Sequence, residues 1–381
     1  LVFSAGCWDR IEIEHRAFVM AIAVDRAKEE APPAAGAEAL PHRGGRGLRL
    51  TFQISNPAQL AGGEQGGGGA TRAGEPFWNL TTTAPGLFPG IREIATRVER
   101  TPYFEHLQVI VLGEELARGG LEPVMDFFRR DHEIHRRAEV VVAKGEASRV
   151  LEVKPSLQPL PAFYLSDLIR AGELRTGHYA PSTDLTYLFQ KLDAGSSLVL
   201  PRVVPQKKEV KLAGGAVIRR GRLVGWLGEV EAEGLRFLTN KAKAGALAVT
   251  SPWGEDLEVF EISHARSSLV PQLANGRLSF RVITECEGSL AEHHCLPKTT
   301  AASYLEALNR AVARTIEREV TATVRKLQDF RADAAGFGQE LERRYPRLWR
   351  RLKPRWEEEI FPNLPVTAEA RVRIRLVGLH R

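Results

Sequence analysis

Apolar positions in the first 150 residues form short runs separated by stretches with helical spacing. Short runs rich in Val and Ile are typical of buried β-strands. They fall at Ala17–Val24, Leu48–Ile54, Phe77–Thr83, His106–Leu112 and Ala138–Ala143. Leu87–Arg100 and Glu122–Arg130 instead repeat apolar residues at helical intervals, which predicts helices. Strands that alternate with helices predict an α/β domain with a mixed sheet over residues 8–150.

The pattern changes over residues 151–210, where prolines punctuate a more helical stretch. The predicted helices are Phe163–Ala171 and Leu185–Leu192, and an extended segment starts at Leu200-Pro201. Pro205-Gln206-Lys207-Lys208 is typical of a linker. We therefore predict a small middle domain with a linker over residues 151–210, followed by a C-terminal domain over residues 211–381.

The C-terminal domain begins with a run of predicted strands. A β-hairpin is predicted around Arg220-Gly221, and a second turn at Asn275-Gly276. Between and after these turns, strands are predicted at Gly245–Thr250, Leu257–Ser267 and Arg277–Glu287. Glycine and asparagine in these two turns indicate hairpins, because they readily adopt the positive φ angles that tight hairpin turns require.

A long helix and a last strand complete the domain. The helix is predicted from Thr299 to Asp329. Its apolar stripe consists of Leu305, Leu308, Val312, Ile316, Val320, Thr323 and Leu327. Val366–Val377 alternates apolar and polar residues, which predicts an antiparallel or edge strand with one wet face. The predicted fold class is α+β, with several domains, mixed β-sheets flanked by helices, and a C-terminal antiparallel sheet packed by long helices.

The charge of the chain is mildly positive and unevenly distributed. Hydrophobic residues make up 43% and charged residues 26%, which excludes wholesale disorder and fibrous repeats. The net charge is +6, and residues 310–381 alone contain 17 basic and 10 acidic side chains. On the long helix, Arg310, Arg314 and Arg318 follow one another at intervals of four. A solvated helix face is the favoured interpretation of this stripe, with contact to a membrane or partner as the alternative. No known nucleic-acid-reading element accompanies it, so we expect no nucleic-acid partner.

The glycine-rich stretch over residues 61–75 is predicted to be a flexible surface loop. A phosphate-binding loop would need a Lys-Ser or Lys-Thr pair and a helix directly after the glycines, and neither follows here. No apolar run approaches the roughly 18 residues that a membrane-spanning helix needs.

Residues 1–7 have the composition of the end of a secretory leader. Small residues at Ser4, Ala5 and Gly6 precede Cys7, which is the arrangement of a bacterial lipobox. In that motif the cysteine sulfur carries diacylglycerol, so Cys7 is the candidate lipid-attachment residue. A Ser at position 4, where the motif usually has Leu, weakens the match. The alternative is an incidental cysteine.

Two clusters of reactive residue types have competing interpretations. Cys286, His293, His294 and Cys295 fit an ordinary polar loop, a Cys286–Cys295 disulfide or a metal site, although three contiguous ligands converge poorly on one ion. Asp126, Asp131, His132, Glu133 and His135 offer acid/base chemistry but lie among arginines, which favours a charge-paired helix end. Nucleophile-elbow, zinc-protease and P-loop motifs are missing, so we expect no enzyme, metal or cofactor.

Blocks spread along the chain together resemble the Ger(x)C family. They are Gly6-Cys7-Trp8-Asp9-Arg10, the apolar strand that ends at Asp25, Ile54-Ser55-Asn56-Pro57, His106 to Ala117, Phe127-Phe128-Arg129-Arg130-Asp131, Val142-Ala143-Lys144-Gly145, Val224-Gly225-Trp226-Leu227, Lys326-Leu327-Gln328, Gly336-Phe337-Gly338 and Val377-Gly378-Leu379. Single blocks are weak signals, but their order and spacing over nearly the whole chain are specific.

The resemblance implies a lipoprotein C subunit of a germinant receptor in an endospore-forming bacterium. Such a subunit is tethered through the cysteine matching Cys7 to the outer face of the spore inner membrane. It acts with membrane-embedded A and B subunits to start germination, has a mixed α/β architecture in three domains, and has no assigned enzymatic activity. The competing hypothesis is an exported solute-binding or hydrolytic lipoprotein that uses the N-terminal α/β domain as a pocket.

Overall fold

The computed structural model describes residues 12–28, 47–60, 74–252, 254, 256–293 and 302–377. These residues form two compact units. The first comprises the described residues up to Ser166 together with residues 184–186 and 205–210. The second comprises residues 167–183 and 187–204 and the described residues from Lys211 onwards. The three-domain division given above stays a prediction.

The first unit is built on a mixed β-sheet. Its strands are β1 Arg16–Arg26, β2 Leu48–Ser55, β3 Phe77–Ala84, β4 Thr101–Tyr103, β5 Val109–Leu112 and β6 Glu139–Ala143. They lie in the order β3-β2-β1-β5-β6, and β4 pairs with the start of β1. β1, β5 and β6 run parallel, whereas β2 and β3 are antiparallel to their neighbours. Every residue of β5 and β6 is buried, as expected for parallel strands covered on both faces.

Helices connect these strands and continue beyond them. They are α1 Pro57–Leu60, α2 Leu87–Ile94, α3 Glu114–Gly119, α4 Glu122–Arg130, α5 Ser148–Leu151, α6 Pro161–Gly172 and α7 Leu185–Asp193. The helix predicted to reach Arg100 ends at Ile94. Thr101–Tyr103 pairs with Arg16–Phe18, and this pairing requires extended backbone. The helix therefore ends before this strand, and most of the residues between the two are exposed.

The second unit includes residues 167–172 of α6 and 187–193 of α7. Its strands start with β7 Leu198–Pro205, β8 Val210–Arg219 and β9 Arg222–Leu227, and α8 Glu229–Leu238 follows them. β8 and β9 form the hairpin predicted around Arg220-Gly221. Arg220 has φ of 50° and Gly221 has φ of 69°, which are the angles of the tight turn that matches strand twist.

A four-stranded sheet and a long helix form the rest of the second unit. The strands are β10 Ala246–Thr250, β11 Leu257–Ala274, β12 Arg277–His293 and β13 Val366–Val377, in that order across the sheet. β10, β11 and β12 are antiparallel, as predicted. β13 is an edge strand, but it runs parallel to β12, so the prediction of a wholly antiparallel sheet is wrong at this strand. The connection from β12 carries α9 Ala302–Asp329, α10 Phe337–Arg344 and α11 Pro346–Leu352, and such a helical crossover returns the chain in the same direction.

The core of the second unit lies between α9 and this sheet. The predicted stripe of α9 is buried from Leu308 to Leu327, and it packs in one cluster with Phe260 and Phe280 of the sheet. Apolar burial of this kind is worth about 25 cal/mol per Å² and supplies the main stabilisation of the unit. The mixed α+β fold class is therefore confirmed. None of the described helices is long and apolar enough to cross a membrane.

Candidate functional site

Several residues that the sequence singles out lie outside the described part of the chain. Cys7 is one, and residues 61–73 of the glycine-rich stretch are others. Lipid attachment at Cys7 therefore stays a prediction. His294 and Cys295 also lie outside the described residues.

Cys286 lies in β12 and is 1% exposed. It faces the core that α9 covers and belongs to the same hydrophobic cluster. Burial, with a smaller effect of the nearby Glu287 carboxylate, raises the pKa of the Cys286 thiol to about 12. The thiol therefore stays protonated at neutral pH and is a weak nucleophile. The Cys286–Cys295 disulfide stays a prediction.

Two of the acid/base candidates near the end of α4, Asp126 and Asp131, are held by hydrogen bonds within this segment. Asp126 accepts hydrogen bonds from Arg130 Nε at 3.0 Å and 2.9 Å. These bonds lower the pKa of Asp126, which keeps its carboxylate ionised. Asp131 Oδ1 accepts a hydrogen bond from the Glu133 backbone N–H at 2.9 Å. The arrangement matches a charge-paired helix end. Within the described ranges, no group of three or more His, Cys, Asp or Glu residues could hold a metal ion.

The predicted arginine stripe lies on the solvent side of α9. Arg310, Arg314 and Arg318 are all exposed. Arg310 lies 3.9 Å from Glu306, one turn earlier, which is a weak intrahelical pair. The stripe is therefore accessible to a partner.

The neighbouring face of α9 closes the free edge of β13. Glu317 Oε1 accepts a hydrogen bond from the Ala370 backbone N–H at 2.9 Å, and Asn309 Oδ1 accepts one from Ile374 N–H at 3.1 Å. An exposed edge strand is a template for pairing with another chain. Two side chains of α9 thus occupy donors that β13 would otherwise offer to a partner strand.

A pair of buried carboxylates lies where α8 meets α9. Glu233 is 6% exposed and Glu319 is 7% exposed. The helices approach closely at Gly234, because a Cβ atom there would lie 2.6 Å from the Glu319 carbonyl oxygen. Thr323 Oγ1 lies 2.8 Å from that carbonyl oxygen and 3.0 Å from the Glu231 carbonyl oxygen across the interface. The small residue and the hydroxyl together bring the two acids into one environment.

These two acids are poorly solvated by the protein. Oε1 of Glu233 and Oε2 of Glu319 are buried without a hydrogen-bond partner in the described structure. Burial raises the pKa of Glu233 to about 7, and burial plus the charge of Glu233 raises that of Glu319 to about 8. The neighbouring Arg236 is itself buried, and its Nε donates to the Tyr179 carbonyl oxygen at 2.7 Å. The pair therefore holds at least one proton at neutral pH.

This pair was not predicted from the sequence, although the sequence contains one signal of it. Glu319 sits three residues after Ile316 and four before Thr323, so it interrupts the apolar stripe of α9. A charged residue at a stripe position is informative, because buried polar groups are the exception in a core.

The half-buried Asp333 forms a second carboxylate site, and both of its oxygens are hydrogen-bonded. Its Oδ1 accepts hydrogen bonds from the backbone N–H groups of Gly336 and Phe337, both at 2.9 Å. Its Oδ2 accepts from Gly338 N–H at 2.6 Å and from Trp356 Nε1 at 2.8 Å. The carboxylate therefore satisfies the open N–H groups at the start of α10. The block Gly336-Phe337-Gly338 has a structural role here.

Asp25 has the same kind of role in the first unit. The carboxylate lies at the end of β1 and accepts hydrogen bonds from Ala147 N–H at 2.7 Å and Ser148 N–H at 2.9 Å. Gly113, at the end of β5, packs against this carboxylate so closely that a side chain would not fit. The end of β1 is thus fixed to the start of α5.

Comparisons with known proteins cover both halves of the chain. Residues 9–205 match the family model described as spore germination protein N-terminal domain, and residues 213–378 match spore germination B3/GerAC like, C-terminal. The chain is 30% identical to spore germination protein YndF of Bacillus subtilis (strain 168) over 99% of its length and 94% of the relative. It is 27% identical to spore germination protein KC of the same organism over 100% of its length and 94% of the relative.

A solved structure shares the fold. The crystal structure of the GerBC protein aligns with a TM-score of 0.58 and 22% sequence identity. The alignment covers 91% of this chain and 99% of that one. The architecture described above is therefore an established fold that extends over most of both chains.

Proposed function

The chain belongs to the B3/GerAC-like family of spore germination proteins, and on that premise we propose that it is a non-enzymatic lipoprotein subunit of a nutrient-germinant receptor. The observation that carries the proposal is the match of both family models, over residues 9–205 and 213–378. Relatives of nearly full length that are named spore germination proteins favour this function over an exported solute-binding or hydrolytic lipoprotein.

The proposed tether is a diacylglycerol group on Cys7, which would hold the folded body at the outer face of the spore inner membrane. The sequence Gly6-Cys7-Trp8-Asp9 supports this. A diacyl group supplies two chains, which is enough for stable anchoring.

The proposed partners are the membrane-embedded A and B subunits of the receptor. The accessible stripe of Arg310, Arg314 and Arg318 is the candidate contact on this chain. The proposal of a coupling role without catalysis is supported by the state of the acid/base candidates at the end of α4, where Asp126 is held ionised by Arg130. No cofactor is proposed.

The tether is tested by replacing Cys7 with Ala in spores that express the full chain. We expect the variant to leave the membrane fraction and nutrient-triggered germination to fall. The matched control is Cys286→Ala, which removes a buried thiol and leaves the tether, so the protein should stay in the membrane fraction. Normal membrane retention and germination of the Cys7→Ala variant would overturn the tether.

A further inference from the structure

A dense run of basic side chains lies between α10 and the turn after α11. Residues 343–355 contain seven basic and no acidic residues, and all seven basic side chains are exposed. They are Arg343, Arg344, Arg347, Arg350, Arg351, Lys353 and Arg355, and we call this surface the basic ridge. The ridge differs from the arginine stripe of α9 and was not singled out in the sequence.

Most of the charge of the ridge is uncompensated. Arg343 and Arg344 pair with Glu340 at 2.7 Å and 2.6 Å, and Arg355 pairs with Glu359 at 3.1 Å. The other four, Arg347, Arg350, Arg351 and Lys353, make no ion pair with a described acidic residue. Two of the flanking acids, Glu357 and Glu358, pair with Arg219 and not with the ridge, so these four positive charges stay uncompensated.

The ridge is held rigidly on the core of the second unit. Trp349 of α11 is buried, and its ring packs edge-to-face on Trp356 with centroids 5.3 Å apart. Gly338 of α10 permits this packing, because a Cβ atom there would lie 2.6 Å from the Trp349 ring. Trp356 Nε1 in turn donates to Asp333. The segment therefore cannot easily change shape to spread its charges.

Helix geometry directs the charges outward and close together. Arg347 and Arg351 are four residues apart in α11, so they share one face of the helix. Trp349 lies two residues from each and so points to the opposite side, into the core. Like charges at this spacing destabilise a helix unless an anion lies near them. The repulsion between Arg347 and Arg351 therefore destabilises α11 when no anion is bound, and an anionic partner would relieve it.

We propose that the basic ridge binds the anionic head groups of a phospholipid bilayer. A protein partner is less favoured, because protein interfaces have a core depleted in charge with aromatic or aliphatic anchors. The tryptophan of the ridge is buried, and its one largely exposed aromatic residue is Tyr345 at 41%. Tyrosine is typical of the membrane–water interface. The proposal rests on the proposed function in that it places this chain at a membrane.

The size of the expected effect follows from electrostatics. A basic residue close to an anionic bilayer contributes a factor of about 5 to membrane partitioning. Removal of the four uncompensated charges is therefore expected to weaken binding by about 100-fold or more at low salt. Because screening is strong at high ionic strength, added salt should weaken wild-type binding in the same direction.

The test uses the full chain with Cys7 replaced by Ser, so that the ridge is measured without the proposed tether. Binding is measured by cosedimentation with vesicles of 30% phosphatidylglycerol in phosphatidylcholine and with pure phosphatidylcholine vesicles. The ridge variant carries Arg347→Gln, Arg350→Gln, Arg351→Gln and Lys353→Gln. The control variant carries Lys243→Gln, Arg266→Gln, Arg277→Gln and Arg325→Gln, which removes the same net charge from exposed positions of the second unit that have no proposed contact. Thermal unfolding checks that both variants are folded.

We expect the parent chain to bind the anionic vesicles and not the neutral ones. The ridge variant should lose about 100-fold in affinity, and the control variant should stay within a few-fold of the parent. Equal binding by the ridge variant, or an equal loss in the control, would overturn the proposal. Tighter binding to poly-glutamate or DNA than to vesicles would also overturn it, in favour of an acidic macromolecule. Since Cys7 is absent throughout, the result does not depend on lipid attachment.

Discussion

Asp333 and the Glu233–Glu319 pair, both in the second unit, differ in how their carboxylate oxygens are hydrogen-bonded. Asp333 accepts four hydrogen bonds that act to lower its pKa, although desolvation outweighs them and leaves the pKa above its ordinary value. The Glu233–Glu319 pair has two buried oxygens without a hydrogen-bond partner. The comparison indicates that Asp333 fixes the start of α10 through its hydrogen bonds, whereas the stability contribution of the Glu233–Glu319 pair changes with pH.

The largest effect of a substitution at neutral pH is expected from Asp333→Ala. The substitution leaves three backbone N–H groups and the Trp356 indole N–H without their acceptor, and it loosens the start of α10. We expect the free energy of unfolding to fall by about 3–5 kcal/mol, measured by denaturant unfolding. Asp333→Asn keeps one acceptor oxygen and should lose less. A loss below about 1 kcal/mol for Asp333→Ala would contradict the role of Asp333 in fixing the start of α10.

The next effect is the change of the free energy of unfolding with pH, which the Glu233–Glu319 pair is expected to cause. The folded pKa values, about 7 and about 8, lie above the ordinary value of 4.5. Between pH 4.5 and these folded values, the folded state therefore binds more protons than the unfolded state. The contribution of the pair to the free energy of unfolding should therefore fall as pH rises from 5 to 9, by about 6 kcal/mol.

The variant Glu319→Gln isolates this effect. A neutral amide removes the charge that is costly at high pH, so the variant should gain stability relative to the wild type at pH 9 and show a flatter pH profile. Glu306→Gln on the exposed face of the same helix is the matched control and should leave the profile unchanged. An unchanged slope in Glu319→Gln would show that the pair is not the origin of the pH dependence.

A smaller effect is expected where α8 approaches α9. In Gly234→Ala, the added methyl group would overlap the Glu319 carbonyl oxygen, so the helices must move apart. We expect a loss of about 1–3 kcal/mol in thermal or denaturant unfolding. Gly119→Ala serves as the control, because a methyl group there would approach no closer than 3.8 Å to Arg26. If both variants lose the same stability, close helix packing at Gly234 is not required.

The smallest effect on stability is expected from the arginine stripe of α9. Replacement of Arg310, Arg314 and Arg318 with Gln removes exposed charges and one weak ion pair. The free energy of unfolding should change by less than about 0.5 kcal/mol, in contrast to the buried carboxylates. A loss above about 1 kcal/mol would mean that the stripe has a structural role instead of being available to a partner.

Local periodicity predicted the elements but not their long-range pairing. The stripe from Leu308 to Leu327 identified α9, because helical spacing persists over many turns. Alternation in Val366–Val377 identified a strand with one wet face, but it carries no information on the direction of the neighbouring strand. The parallel pairing of β13 with β12 follows from the intervening helical crossover, which is a tertiary feature.

The candidate sites were predictable to different degrees. The resemblance to a known family predicted the family and supported Cys7 as the lipid-attachment residue. The four-residue spacing of the arginines predicted the arginine stripe of α9. The buried carboxylates were missed because sequence patterns do not show which glutamates a neighbouring helix covers. Glu233 is buried by the packing of α9 on α8 and by the segments around Gly177 and Gly245, which all lie outside its own helix in sequence.

Whether this chain is a subunit of a membrane-bound germinant receptor can be tested by purifying the full-length tagged chain from detergent-solubilised spore membranes. We expect two membrane-spanning proteins, the A and B subunits, to be recovered with it in fixed proportion. We also expect this recovery to be lower from Cys7→Ala spores. Recovery of the chain alone, from the soluble fraction of wild-type spores, would contradict the proposal.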